Sequence, residues 1–315
     1  MKRIFGLIIF ILTASPGNAQ QDPQFSQSMF NIMMFNPGYV GSKNAICATA
    51  VNRQQWVGFG DGAPVSSLFT VNSPFRLFGA DHGAGLHILN DEAGFETNLS
   101  INASYALRMN LGNGKLGIGF GLGVINTSLD ADWFVPAGDD FTTPSADPSI
   151  PAGNETVLTV DFSGGLFYYD GDLYVGISST HINEPAVEYT QSARPFKSRH
   201  YYLTAGYSLP MRNPSVSALP AVLLQTDGAI AQLNIGAIID YESRLWGGLF
   251  YRHGAAIVGI AGIELFNGIN IGYSYDFSTT AIMRHNKGSH EFMLRYCFDL
   301  DMDRTPQRYR SIRIL

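Results

Sequence analysis

Between Phe95 and Phe298 the chain alternates apolar and polar residues at period two, in run after run. Leu99-Ser100-Ile101-Asn102-Ala103-Ser104-Tyr105 is one such run, residues 269–277 form another, and Phe292, Leu294, Tyr296 and Phe298 mark a third. Successive side chains of a strand point to opposite faces, so each run builds one apolar and one polar face. Two architectures suit such strands. They cover a soluble core on one side, or they close into a barrel with lipid outside and water inside.

Composition favours the barrel. Charged residues make up 15% of the chain, against about 25% in ordinary soluble domains. The 34 Gly, 15 Tyr and 21 Phe suit barrel walls with aromatic girdles. At the N-terminus, Lys2-Arg3 precede an apolar stretch at 4–12, and small residues lead to Gly17-Asn18-Ala19. Residues 1–19 therefore read as a cleaved secretory signal peptide, too short to span a membrane. No Cys follows the cleavage site, which argues against a lipoprotein. Losing Lys2 and Arg3 takes the formal charge from −6 to −8, and an acidic chain without a basic stripe argues against nucleic acid. Every later apolar run is broken by Gly or polar residues, well short of the roughly 20 residues a spanning helix needs.

Turn signals and alternation together give about fourteen strands, near 44–56, 65–75, 82–90, 95–111, 115–129, 155–169, 172–182, 199–211, 215–225, 228–241, 243–253, 255–266, 268–279 and 288–298. Asn113-Gly114, Asp170-Gly171 and Asn267-Gly268 supply tight reversals. The connections after even-numbered strands are short, whereas the long ones, 130–154, 183–198 and 280–287, follow odd-numbered strands. Outer-membrane barrels sort their loops this way, with short periplasmic turns and long surface loops. The expected architecture is an all-β, transmembrane antiparallel β-barrel of about 14 strands with a short N-terminal plug segment. Its divisions are signal peptide 1–19, plug segment 20–42, barrel 43–298 and periplasmic charged tail 299–315.

Strand five alternates Leu116, Ile118, Phe120, Leu122 and Val124 with Gly117, Gly119, Gly121 and Gly123. Its inner face is bare. That leaves either room for neighbouring side chains or a groove for another segment's backbone. Residues 20–42 are the natural occupant. They do not alternate, and Met29 to Phe35 form a helix-compatible apolar patch stopped by Asn36-Pro37-Gly38.

The motifs Asp22-Pro23-Gln24-Phe25-Ser26-Gln27, Asn36-Pro37-Gly38-Tyr39-Val40-Gly41-Ser42 and Arg53-Gln54-Gln55-Trp56-Val57-Gly58-Phe59 stand in order. Asn90-Asp91-Glu92-Ala93-Gly94 and Gly288-Ser289-His290-Glu291 follow. This series resembles the PorP/SprF family of outer-membrane proteins of the Bacteroidetes type IX secretion system. The likeness covers essentially the whole mature chain, although the surface loops are compact for that family. It implies a role in secretion across the outer membrane and, in gliding bacteria, in delivering and anchoring adhesins with a type B C-terminal domain. Implied partners are the adhesin's C-terminal domain, the periplasmic ring and a peptidoglycan-binding lipoprotein, besides outer-membrane lipid.

Other features leave choices open. Cys47 and Cys297 lie on the first and last strands near the periplasmic rim, so they either staple the seam or stay unpaired. Glu291 and Arg295 on the last strand face inward and suit a lumen charge network. In the tail, Asp299, Asp301 and Asp303 precede Arg304, Arg308, Arg310 and Arg313, either as a solvated end or as a dipolar docking segment. The seven histidines show no metal-ligand spacing, GxSxG and HExxH are missing, and no cofactor is expected. Asp130, Asp132, Asp139, Asp140 and Asp147 lack the EF-hand pattern, leaving only loose surface Ca²⁺ binding. The reading is a non-enzymatic secretion accessory that recognises cargo on its long loops, with a channel or hydrophobic-solute transporter as the alternative.

Overall fold

The first strand hydrogen-bonds to the last, and that pairing closes the sheet. The computed structural model describes residues 22–130, 154–189, 196–265 and 268–299. In chain order the strands are β1 (Ala45–Gln54), β2 (Val65–Leu77), β3 (Ala80–Ala93), β4 (Glu96–Leu111), β5 (Gly114–Asp130), β6 (Asn154–Tyr169), β7 (Leu173–Thr180) and β8 (His200–Tyr207). There follow β9 (Leu209–Pro210), β10 (Val216–Thr226), β11 (Ala231–Tyr241), β12 (Leu245–Arg252), β13 (Ala256–Glu264), β14 (Ile269–Ser278) and β15 (Ser289–Asp299). Each pairs antiparallel with its neighbours, β10 joins β11, and β15 joins β1 over ten residue pairs from Ala45–Asp299 to Gln54–His290.

Fourteen strands make the wall, because β9 continues β8 along β10. The expected continuous strand at 199–211 is interrupted at Ser208. Opposite the break stand Leu219 and Pro220, which β10's pairing on this side skips. Proline has no N–H to give to a ladder, so the wall breaks where it sits.

Alternation is realised as two chemically distinct surfaces. On β5, Ile118, Phe120, Leu122 and Val124 point outward and are exposed, and on β15 so do Phe292, Leu294, Tyr296 and Phe298. Between the latter, Glu291, Met293 and Arg295 face the interior and are buried. One end of the barrel carries turns of five residues or fewer, and the strands that flank the long connections 55–64, 131–153, 181–199 and 279–288 end at the other. Of the surface loops expected at 130–154 and 183–198, residues 131–153 and 190–195 lie outside the described residues. The third holds a 3₁₀ turn, Ala281–Arg284.

At the short-turn end, Cys47 and Cys297 are register partners on β1 and β15, joined by a disulfide with an S–S distance of 2.05 Å. The bond links positions 250 residues apart, and cross-links over loops this long restrict the unfolded chain strongly. Replacing both cysteines with serine is expected to lower barrel stability by about 2–4 kcal/mol. A shift in the urea midpoint, together with loss of the reduction-dependent gel shift, checks this.

Candidate functional site

The lumen is occupied by the chain's own residues 22–42. They form three 3₁₀ turns, Ser28–Phe30, Ile32–Met34 and Pro37–Tyr39, instead of the single helical patch suggested by Met29 to Phe35. Asn31, at φ −126° and ψ 30°, breaks the first from the second, and Asn36, extended at φ −133°, breaks the second from the third. Asn36 Oδ1 accepts the Gly38 N–H at 2.9 Å and its Nδ2 donates to the Leu166 carbonyl at 3.0 Å, so one buried side chain caps a turn and ties it to β6. Packing against the wall overrides the weak helical preference of so short a segment.

Wall glycines let this segment through. A Cβ at Gly117 would overlap the Gly38 carbonyl, and one at Gly119 would overlap Pro37 and Gly38. Gly41, with φ +69°, lies against Gly83 of β3. Gly121 and Gly123 instead leave space for the Asn102 side chain. The bare face of β5 therefore serves both purposes: a groove for backbone near the short-turn end and room for side chains beyond it. Apolar packing adds to the fit. Phe25, Ile32, Met33, Phe35 and Val40 are buried, Phe30 meets Trp246 at 4.8 Å, and Phe35 stacks on Tyr202 at 5.1 Å. An empty lumen would hold water, so each large buried side chain contributes about 1.5–3 kcal/mol toward keeping the segment inside.

Near the long-loop end the segment is held by charge. Arg53 of β1 reaches Asp276 of β14 at 2.7 Å and Glu291 of β15 at 3.3 Å, and Arg252 of β12 reaches the same Asp276 oxygen at 2.9 Å. Two cations and two carboxylates balance. Ser26 sits among them, donating from Oγ to Asp276 at 2.6 Å and accepting from Arg53 at 2.8 Å and Arg252 at 3.1 Å. The Ser26 and Gln27 amides donate to Glu291 at 2.7 and 2.9 Å. Glu291 is fully buried, so its charge depends on these partners.

A second anchor holds Asp22. His181, at the end of β7, stands between two carboxylates, with Nε2 2.9 Å from Asp22 and Nδ1 2.9 Å from Asp161 of β6. Tyr202 donates to the other Asp22 oxygen at 2.9 Å, and His200 Nδ1 is 3.9 Å from it. Burial opposes charge on both groups, and the pairing overrides it. The Asp22 carboxyl is held well below its usual range by His181, while Asp22 and Asp161 push the His181 imidazole up to about 10.

Most of the motif residues meet here. Phe25, Gln27 and Arg53 join Glu291 and the plug core, Asn36, Pro37 and Gly41 seat the lower turn, and Pro23, Gln55 and Trp56 line a 430 Å³ cavity at the long-loop end. Trp56 adopts φ +53° and its backbone N–H donates to Ser289 Oγ at 3.1 Å. Arg295 does not join the Glu291 network. Its guanidinium lies 5.8 Å over Phe30 and its Nε donates to Cys297 Sγ at 3.2 Å, at the opposite end of β15. Arg304, Arg308 and Arg310 lie outside the described residues. Sequence spacing does not connect Asp161, His181, His200 and Arg252, since each comes from a different segment; period-two parity marks Asp161, His200 and Arg252 as inward, whereas His181, next to inward Thr180, breaks the alternation.

A family model described as type IX secretion system membrane protein PorP/SprF matches residues 17–296. The chain belongs to the PorP/SprF family. Outer-membrane barrels as a class carry short turns on the periplasmic side and longer loops on the cell surface. No curated protein matches significantly. Among solved structures, the PorP/SprF chain is similar to the outer membrane protein Omp33 of Acinetobacter baumannii, at 5% identity and TM-score 0.48, covering 81% of this chain and 99% of that one. It is also similar to the translocator domain of autotransporter NalP from Neisseria meningitidis, at 14% identity and TM-score 0.48, covering 87% and 95%.

Proposed function

We propose that this PorP/SprF protein is a non-enzymatic outer-membrane component of type IX secretion that supports export and surface anchoring of adhesins with a type B C-terminal domain, in support of gliding motility. The observation that carries this reading is the seated plug. Residues 22–42 cross the lumen from the Asp22 anchor to the Gly38 groove, which suits a docking scaffold better than an open duct. Recognition then falls to the surface loops, because exposed loops on a rigid wall carry binding. Strand β15 ends at Asp299 on the short-turn side, and the charged tail that follows is assigned to contact with the ring and the peptidoglycan-binding lipoprotein. A signal peptide at 1–19 delivers the chain to the export route.

Deleting the gene and restoring it in trans provides the test. The null strain is expected to lose surface-displayed adhesin and regain it with the wild-type copy. Undiminished display in the null strain would refute the reading. One observation favours solute transport instead, the 430 Å³ cavity beside Arg53, Arg252 and Trp56. Planar-bilayer recording separates the two: a silent barrel supports the scaffold, and a steady open conductance supports transport.

A further inference from the structure

Asp22, His181 and His200 each place a ligand-type atom within 4.8 Å of the others. They come from the plug, the end of β7 and the start of β8, so folding alone brings them together. Both imidazoles are buried, and each has its Nδ1 engaged, His181 with the Asp161 carboxylate and His200 with the Ser198 carbonyl, both at 2.9 Å. That is how metal-binding histidines are oriented. A carboxylate or carbonyl on one ring nitrogen fixes the tautomer and turns the other nitrogen's lone pair outward. His200 Nε2 has no hydrogen-bond partner among the described residues. Neither has Nδ1 of His87, which lines a small cavity together with Asp22 and His181. A second cavity, of 190 Å³, borders all three ligand residues and gives an ion room to enter.

We propose that Asp22, His181 and His200 form a binding site for a divalent transition-metal cation of the zinc type, and that the ion fastens the start of the plug to strands β7 and β8. Two imidazoles and one carboxylate are the donor set that Zn²⁺ favours, whereas Ca²⁺ and Mg²⁺ seek all-oxygen sites. Without the ion, His181 bridges Asp22 and Asp161 through protons. With it, Asp161 becomes the outer partner that orients His181. Asp22 is the only ligand contributed by the plug, so occupancy of this site adds directly to the hold on residues 22–42.

The test uses the mature, disulfide-bonded barrel purified without a polyhistidine tag, stripped with EDTA and titrated with Zn²⁺. One ion per chain is expected, with binding weakened at least tenfold by Asp22→Asn and by His200→Ala. Asp161→Asn is expected to weaken it 10–100-fold, as for other residues that orient a ligand. Replacing the exposed His285 with alanine should change nothing. Excess Ca²⁺ should not displace the zinc. Asp22→Asn alters no wall residue, so heat-modifiable gel mobility will show the barrel intact and keep the comparison valid. Zn²⁺ should also slow proteolysis of the N-terminal segment in the wild type and not in Asp22→Asn. Absence of saturable binding below about 100 µM, or binding that Asp22→Asn and His200→Ala both retain, would overturn the proposal.

Discussion

Replacing Arg53 with leucine is expected to destabilise the barrel by about 3–5 kcal/mol, the usual cost of removing one partner from a buried ion network. Arg53 is the cation shared by Asp276 and Glu291, at 2.7 and 3.3 Å. Without it, Arg252 still answers Asp276, while the hydrogen bonds left to Glu291 among the described residues come from the Ser26 and Gln27 amides and the Gln27 side chain. A carboxylate buried with neutral donors alone either picks up a proton or draws in water, and either change loosens the plug. Urea unfolding followed by heat-modifiable mobility measures the cost. Adding Glu291→Gln to Arg53→Leu should recover part of it, since the stranded charge is then gone. A single-mutant cost below about 1 kcal/mol, or no recovery in the double mutant, would show that the network does not hold the plug.

The second large effect is steric. Gly119→Val would drive a side chain into the backbone of Pro37 and Gly38, where even a Cβ does not fit. Rigid wall and rigid turn leave no flexible atom to yield, so the lower half of the plug should leave its groove. The expected result is a barrel that still migrates as folded but conducts ions in planar bilayers and loses its N-terminal segment to protease. Gly259→Ala on β13 is the matching control. Its Cβ would meet only the end of Leu249 at 3.9 Å, and the variant should stay silent and protease-resistant. Conductance appearing in both variants, or in neither, would separate plug seating from the β5 glycines.

These two sites were legible to different degrees before folding was known. The β5 glycines announce themselves through strict alternation with Ile118, Phe120 and Leu122, and residues 20–42 stand out because they do not alternate. Their meeting follows from one bare wall and one segment in need of burial. Arg53, Glu291 and Asp276 could each be assigned an inward face by counting. Nothing in the spacing joined them to Ser26, which is 265 residues from Glu291, or to Arg252. Counting places Arg295 inward with Glu291, but sharing a face of one strand says nothing about position along the barrel axis, and Arg295 meets Phe30 and Cys297 instead.

By itself the sequence determined the wall: fourteen strands, their inward and outward faces, the sorting of loops to one end, and the neighbouring positions of Cys47 and Cys297. These are local or topological properties, set by a side-chain period of two and by the order in which antiparallel hairpins must close. Only the tertiary structure decided which inward residues touch across the lumen, and hence the Arg53–Asp276–Glu291–Arg252 network around Ser26 and the Asp22–His181–His200 cluster. Contacts across a lumen depend on strand tilt, on stagger and on the path of the enclosed segment, and those quantities exist only once the sheet has closed on itself.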